Sequence, residues 1–431
     1  MTMDAPQRTR SCRRDQPAAT ASQSRGSRQI CLPLDRATYD RIWEDPQAVR
    51  GFVEDLLGQH PELFPEAMTQ GFTLCGTLPP SQKRAGIGLR RLRVTETEED
   101  GQATSRDYFL RPSFVLPYCC GTVDEVEKGM LLLTYQVPYH VVQYCFGRNA
   151  MSWYRLEQSL GRNSLVGTTV RDPDSLPAHL AADEHHAQLR GADASVAMTA
   201  GGGCVLGMAL SNTASEVDLT AAYGRFRDEA ADVSADYAPE TVNTDGWKAT
   251  QAAWRTLYPK VVLILCFLHG FLKVRDRCRK AFELHGKIWE VYQSADAPAF
   301  RAAMESLRQW CAARCWSGPI QEALEKLWSR TEEYVQSYSH PTCHRTSNQV
   351  DRPMNALYRL LYADRTLHGH LETAESRLRG WALLMNFRPF ERRTQRRTGC
   401  QSAAHRLNRK KYHDNWLHNL YISASLGGFR A

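Results

Sequence analysis

Apolar residues change their spacing several times along the chain. From Asp35 to Pro65, "DRATYDRIWEDPQAVRGFVEDLLGQHPELFP", they recur every three or four positions, which predicts helix. "GIGLRRLRVTE" and "DYFLRPSFVLP" are strand-length runs, and the charged "TETEEDGQATSRD" between them reads as a loop or hairpin tip. The helical period returns in "VDEVEKGMLLLTYQ". Pro138 opens a second short helix, which stops at Phe146-Gly147, and Asn149 caps a third, "AMSWYRLEQSLG". Helix, short helix, glycine turn, helix is the helix-turn-helix layout, in which the last helix enters the major groove. Such a helix would offer Arg148, Asn149, Ser152, Trp153 and Arg155 near its start. The competing reading is three core helices of a larger domain.

"SLVGTTVRDPDSLP", with two prolines, reads as a linker. Beyond it "HLAADEHHAQLRG" begins as a strand, and "ASVAMT" and "CVLGMALS" are two more. Gly201 to Gly203 lie between those two strands rather than between strand and helix, so they predict a hairpin turn, not a phosphate loop. A helix, "VDLTAAYGRFRDEAAD", then leads to the β-branched strand Thr241-Val242-Asn243-Thr244, a helix over 247–258 and a strand over 260–266. Residues 270–340 are helical throughout, and more helices follow.

At 431 residues the chain is long enough for two or three domains, and 42% apolar residues suffice for real cores. The most apolar run, "KVVLILCFLHGFL", is shorter than the roughly 20 residues of a membrane helix. The polar, arginine-rich N-terminus does not read as a secretory signal, so a cytoplasmic protein is expected. Thirteen cysteines without disulfide-scaffold spacing fit free thiols in a reducing compartment. The net charge of +7 is modest, but it is concentrated. Residues 1–30 form one basic flank, and Arg392, Arg393, Arg396, Arg397, Lys410 and Lys411 belong to a second, interleaved with aromatic residues. Two such flanks suit a polyanion, because each neutralised phosphate releases counterions.

Asp183 sits where the first strand of the later region is expected to end, Asp245 ends the fourth, and Asp351 begins a helix after the long helical stretch. Each has an ordinary explanation: an ion pair, a cap, a carboxylate favoured by the helix dipole. A sheet that begins as a three-strand meander and continues through a helix makes strands one and four neighbours. A helix packed on that sheet can bring the third carboxylate to the same edge. Oxygen ligands in that arrangement suit Mg²⁺, and two ions about 4 Å apart can serve an in-line phosphoryl displacement. Gly246 would leave room for a phosphodiester backbone. Cys266 with His269 supplies only two ligands toward zinc; His340, Cys343, His344, Cys311 and Cys315 are further candidates. Glu184 and His185 read as a surface strand end, and Trp289, Trp310, Trp316 and Trp328 as core residues of the helical stretch.

The ordered set "AADEHH", "NTDGW", "LCFLHG" and "TSNQVDRPMN" resembles DDE/DDD transposases of bacterial insertion sequences over most of residues 123–425. Cys266 and His269 match the C-x-x-H signature of Mutator-like and related transposases, whose all-helical insertion resembles the stretch before Asp351. Many of these enzymes carry Glu where this chain has Asp351, which makes Glu372 and Glu375 substitutes for the third ligand. The resemblance implies an α/β fold: a ribonuclease H-like mixed sheet with an all-helical insertion, preceded by a small mixed α/β region and a helix-turn-helix-like DNA-binding region. The expected boundaries are a disordered basic N-terminus (1–30), the mixed domain (31–122), the helix-turn-helix-like region (123–163) and a linker (164–178). The core's first part (179–269), the helical insertion (270–345), the core's last part (346–386) and a basic C-terminal segment (387–431) follow. The implied activity is phosphodiester hydrolysis at the element ends and 3′-hydroxyl strand transfer, with Mg²⁺ or Mn²⁺ (two ions) on Asp183, Asp245 and Asp351. The implied partner is double-stranded DNA, at element ends and target, bound by a homo-oligomer in the bacterial nucleoid, with no membrane role. A silent, transposase-derived DNA-binding protein and a structure-specific nuclease on the same fold are the alternatives.

Overall fold

The computed structural model describes residues 27–97 and 103–429; most of the basic N-terminal flank, and the tip of the charged hairpin, lie outside the described residues. The chain opens with β1 (Gln29–Leu32), α1 (Arg36–Ile42), α2 (Pro46–Gln59), β2 (Thr73–Ser81), β3 (Ile87–Thr97) and β4 (Ala103–Pro112). Asp35 and Asp45 start the two helices by accepting from Thr38 N (2.7 Å) and Gln47 N (2.8 Å). The four strands form one sheet in the order β1-β4-β3-β2, with β1 parallel to β4 and the others antiparallel. β1 and β2 are additions to the predicted elements. Gln29 and Ile30, assigned above to a disordered flank, lie in β1 beside Phe109 and Leu110, and Ile30 is fully buried.

The three predicted helices follow as α3 (Val123–Leu133), α4 (Tyr139–Phe146) and α5 (Ala150–Leu160). Thr122 and Glu125 cap α3 reciprocally, and the Asn149 side chain accepts from Met151 N. The supposed linker contains a helix, α6 (Leu165–Thr169), of which every residue is buried. Its polarity misled because the polar groups are satisfied inside the protein. The buried Glu229 carboxylate accepts from Leu165 N (2.6 Å) and Val166 N (3.1 Å), and Asn408 Nδ2 donates to Thr169 O (2.8 Å).

The second sheet contains β5 (His179–Leu189), β6 (Ala192–Gly201), β7 (Cys204–Ser211), β8 (Thr241–Thr244) and β9 (Val262–Leu265). Its order is β7-β6-β5-β8-β9: β7, β6 and β5 are antiparallel neighbours, and β8 and β9 continue parallel to β5. Gly202 and Gly203, both at positive φ, make the β6–β7 turn. Helices α7 (Glu216–Val233) and α8 (Lys248–Leu257) cover one face, where Ala182, Leu206 and Val242 pack with Tyr223 and Trp254. Beyond β9 come α9 (Phe267–Arg277), α10 (Phe282–Tyr292), α11 (Ala297–Ala312), α12 (Gly318–Ser329) and α13 (Thr331–Val335), around a core of their own that includes Leu284, Phe300 and Leu324. Trp310, Trp316 and Trp328 lie at the margin of that core rather than at its centre, and Trp289, expected there too, is exposed.

The opposite face of the sheet is covered by α14 (Asn348–Asp364) and α15 (Leu371–Phe387). The chain then continues through α16 (Arg392–Thr398), α17 (Ala403–Asn408) and α18 (Trp416–Ser423). Alternation along the strands separates two cores, because successive side chains point to opposite faces. Ala181, Val196 and Met198 share one cluster with Val350, Leu378 and Trp381, and this cluster extends to Ile30, Val126, Trp153 and Leu420. The N-terminal sheet, the three-helix region, the second sheet and the C-terminal helix therefore share a continuous core. Among the described residues no helix is long and apolar enough to cross a membrane.

Candidate metal centre

The site lies at the edge where β5 outruns β8. Asp183 is in mid-strand, not at a strand end as expected: it pairs with Met198 in a hairpin that continues to Leu189 opposite Ala192. Pairing with β8 stops at Ala181 opposite Asn243. Two residues further on come Asp183, still within β5, and Asp245, one residue past the end of β8, near enough for its charge to act on Asp183. β8 meets β9 at Thr244 opposite Leu265, so Asp245 and Cys266, each the residue after its strand, emerge at the same edge.

The start of α14 is tied to this edge. Asn243 Nδ2 donates to His344 O (2.7 Å), holding the approach to the helix against β8. Ser347, just ahead of α14, donates its backbone N–H to Cys266 Sγ (3.2 Å), and its hydroxyl lies 3.1 Å from the same sulfur. That hydroxyl donates to Asp351 Oδ2 (2.9 Å) and is 3.4 Å from His269 Nδ1. The C-x-x-H pair thus works as a clamp: Cys266 fixes Ser347, and Ser347 orients both Asp351 and His269.

Asp183, His269 and Asp351 each offer one ligand atom, all within 4.8 Å of one another, and each is partly buried. This trio could hold a metal ion; it is the one such group of His, Cys, Asp and Glu among the described residues. His269 enters beside two aspartates, where the sequence offered it only with Cys266, as half of a C-x-x-H motif short of ligands for zinc. Asp245 lies outside the trio. The signal for His269 was present in its place one turn into a helix that starts at the carboxylate edge. The donor set suits a cation that accepts both carboxylate and imidazole.

Electrostatics fit this crowding. Burial, then the Asp245 and Glu184 charges, push Asp183 up to about 7. A hydrogen bond to Cys266 raises His269 to about 9, with help from the Asp351 and Asp183 charges. The carboxylates crowded around Asp183 disfavour its charged form and would favour a cation, which must displace the imidazole proton before His269 can ligate.

Asp245 also does what a cap would do, its Oδ1 accepting from Trp247 N (2.8 Å), although Trp247 rather than Asp245 is the N-cap of α8. Gly246 does not leave a free channel. A Cβ there would stand 2.6 Å from the Arg330 guanidinium and 2.7 Å from Leu265 Cδ1. Glu184 is not a surface residue: it points to the other face and accepts from Tyr223 OH (2.5 Å) and Thr250 Oγ1 (2.6 Å). Glu375, on α15, is buried against β7, where it accepts from Leu210 N (2.8 Å) and pairs with Arg225, and Glu372 is in the first turn of α15; neither belongs to the trio.

Trp153 is 1% exposed and packs against Gly129, so it is a core residue and not a groove contact. Arg148 is drawn inward, donating to Cys120 O (2.6 Å) and Glu125 Oε2 (3.4 Å). Asn149 spends its oxygen on the cap, Ser152 is half-buried, and Arg155 is exposed. Arg392, Arg393, Arg396 and Arg397 are exposed on α16, whereas Lys410 is paired with Glu62 (2.9 Å) and Lys411 with Asp414 (2.6 Å).

Compared with known proteins, the chain matches no family model and no curated protein.

Proposed function

We propose that this protein is a metal-dependent DNA transposase that cleaves a phosphodiester at the ends of its element and joins the freed 3′-hydroxyl to target DNA. The observation that carries the reading is the convergence of ligand atoms of Asp183, His269 and Asp351 within 4.8 Å, with Asp245 close by, just past the end of the neighbouring strand. The strand order and the two helical layers support a ribonuclease H-like core, with α9–α13 as its insertion. Mg²⁺ or Mn²⁺ held there, as one ion or two, would supply Lewis-acid polarisation of a phosphate oxygen and a nucleophile at neutral pH.

The chain's own contribution is positioning. Asp183 and Asp351 come from a strand and a helix fixed by one core, and Ser347 sets the Asp351 rotamer. Asp245, at the same edge, would take the second ion or orient the attacking hydroxyl. The exposed arginines of α16 and Arg155 would hold duplex DNA through its phosphates.

The test is strand cleavage and joining on a duplex carrying the element end, in Mg²⁺ or Mn²⁺, with melting temperature as the folding control. Asp183→Asn, Asp245→Asn and Asp351→Asn should each abolish cleavage while sparing end-binding, because an amide is a poor ligand for a hard cation. His269→Gln should weaken activity and shift the metal preference toward Mg²⁺. Full activity in Asp183→Asn or Asp351→Asn would sink the catalytic reading. Cleavage without joining would make the protein a nuclease, and specific end-binding by an inactive wild type would leave a silent DNA-binding protein.

A further inference from the structure

Helix α14 carries more than Asp351 away from the metal centre. Its buried side is the row Val350, Met354, Leu357 and Leu361. Two other rows face outward, side by side, both starting in its first turn. One is Asp351, Tyr358 and Tyr362, at helical spacings of seven and four. The other is Asn348, Arg352, Asn355 and Arg359, all exposed.

The first row is an aromatic platform. Tyr358 is 55% exposed and Tyr362 76% exposed, so neither ring is needed to fill the core. The rings stack at 6.4 Å and 27°, and His185, two residues beyond Asp183 on the same strand face, meets Tyr358 edge-on at 5.8 Å. A cleft of about 840 Å³ lies beside them, lined by His185, Gln188, Tyr362 and Arg365 among others. The second row forms one wall of a groove of about 740 Å³, whose lining also includes Arg388, Arg397 and Arg406 and only one carboxylate, Glu391. Among the described residues no ion pair ties up Arg352, Arg359, Arg388, Arg397 or Arg406. Arg406 and Arg388 rest over Phe390 and Tyr135, which keeps their guanidinium groups extended.

We propose that an unpaired DNA strand runs along α14 from the metal centre, its bases stacked on Tyr358 and Tyr362 and its phosphates held by Arg352 and Arg359. Paired bases already stack on each other, so two exposed tyrosine faces at the cleavage edge suit a base that has left the duplex. Arg352 and Arg359 are about 10.5 Å apart along the helix axis, close to three stacked nucleotides at roughly 3.4 Å each. The inference rests on the reading of this site as a DNA-cleaving centre and names the state of its substrate strand.

The experiment measures binding of the full chain, in Ca²⁺ so that cleavage plays no part, to a duplex with a short single-stranded 3′ end and to the same duplex blunt. Tyr358→Ala with Tyr362→Ala should lose about tenfold or more in affinity for the single-stranded end, with the blunt duplex unaffected and the salt slope unchanged. Tyr358→Phe with Tyr362→Phe should keep wild-type affinity, since the ring rather than the hydroxyl does the stacking. Arg352→Gln with Arg359→Gln should lower the log–log salt slope by about 1.4, about 0.7 for each phosphate left without its arginine. These side chains are exposed, and unchanged melting temperatures verify the fold. Equal loss on both duplexes, or no loss in the tyrosine-to-alanine pair, overturns the stacking platform and leaves a duplex surface. An unchanged salt slope in the arginine pair overturns the strand path. A wild type that never cleaves yet shows both effects overturns the catalytic reading alone, and this one stands.

Discussion

Asp183 carries the largest electrostatic strain at the candidate centre. Its carboxyl is pushed up to about 7 from 3.8 by burial and by Asp245 and Glu184. A raised folded-state value contributes stability that is fully present below about pH 4 and is lost as pH rises through about 7. Metal-free protein should therefore lose on the order of 2 kcal/mol of stability, after discounting for partial exposure, and melt at progressively lower temperature across that window. Asp183→Asn should flatten the decline in a series of thermal melts with chelator. Cation binding must also displace protons from Asp183 and from His269, which is raised to about 9. Affinity for Mn²⁺, measured by calorimetry, should accordingly increase as pH rises from 6 to 9; a flat profile would exclude His269 as a ligand.

At the scale of elements, the contact between α5 and α15 decides what α5 can do. The helices approach so closely that a Cβ on Gly161 would run into the Ser376 carbonyl, and one on Gly380 into the Glu157 carbonyl. The contact also buries Glu157, which hydrogen-bonds Tyr139 and pairs with Arg377 (3.4 Å). Gly380→Ala should destabilise the protein by about 1–3 kcal/mol or more, because both partners at the contact are backbone and cannot rotate away. Denaturant unfolding measures the loss. A helix anchored in this way offers any partner only its outer face, on which Arg155 is exposed. The helical periodicity of 150–161 was legible in the sequence. Which side would be buried was not, because Trp153 fits a groove contact and a core position equally well until α3 and α15 are in place.

Across the whole molecule, the C-terminal segment is part of the first domain's foundation rather than a basic tail. Every residue of α18 is buried, and the Ser425 hydroxyl beyond it accepts from Cys31 N (3.1 Å) and donates to Leu63 O (2.7 Å). Leu420→Ala should cost about 2–5 kcal/mol, as truncation of a fully buried leucine does. It should lower the melting temperature of the whole protein in a single transition, because Leu420 shares its cluster with Ile30, Val126 and Trp381. A separate early transition confined to the C-terminal segment would contradict a shared core.

The sequence by itself determined what depends on neighbours in the chain. The helical periods, the cap at Asn149, the glycine hairpin at 202–203 and the strand that delivers Asp245 all follow from spacings of a few residues. The strand succession also implied that the strands bearing Asp183 and Asp245 would be neighbours, as they are. Tertiary structure decided the rest. That Asp351, and neither Glu372 nor Glu375, belongs to the trio depends on how α14 crosses β5 and β6. His269 joins the trio because β9 ends at the same edge, and α6 is buried because Glu229 and Asn408 satisfy its polar backbone from remote parts of the chain. These outcomes depend on strand register and on partners far away in sequence, to which local periodicity is blind.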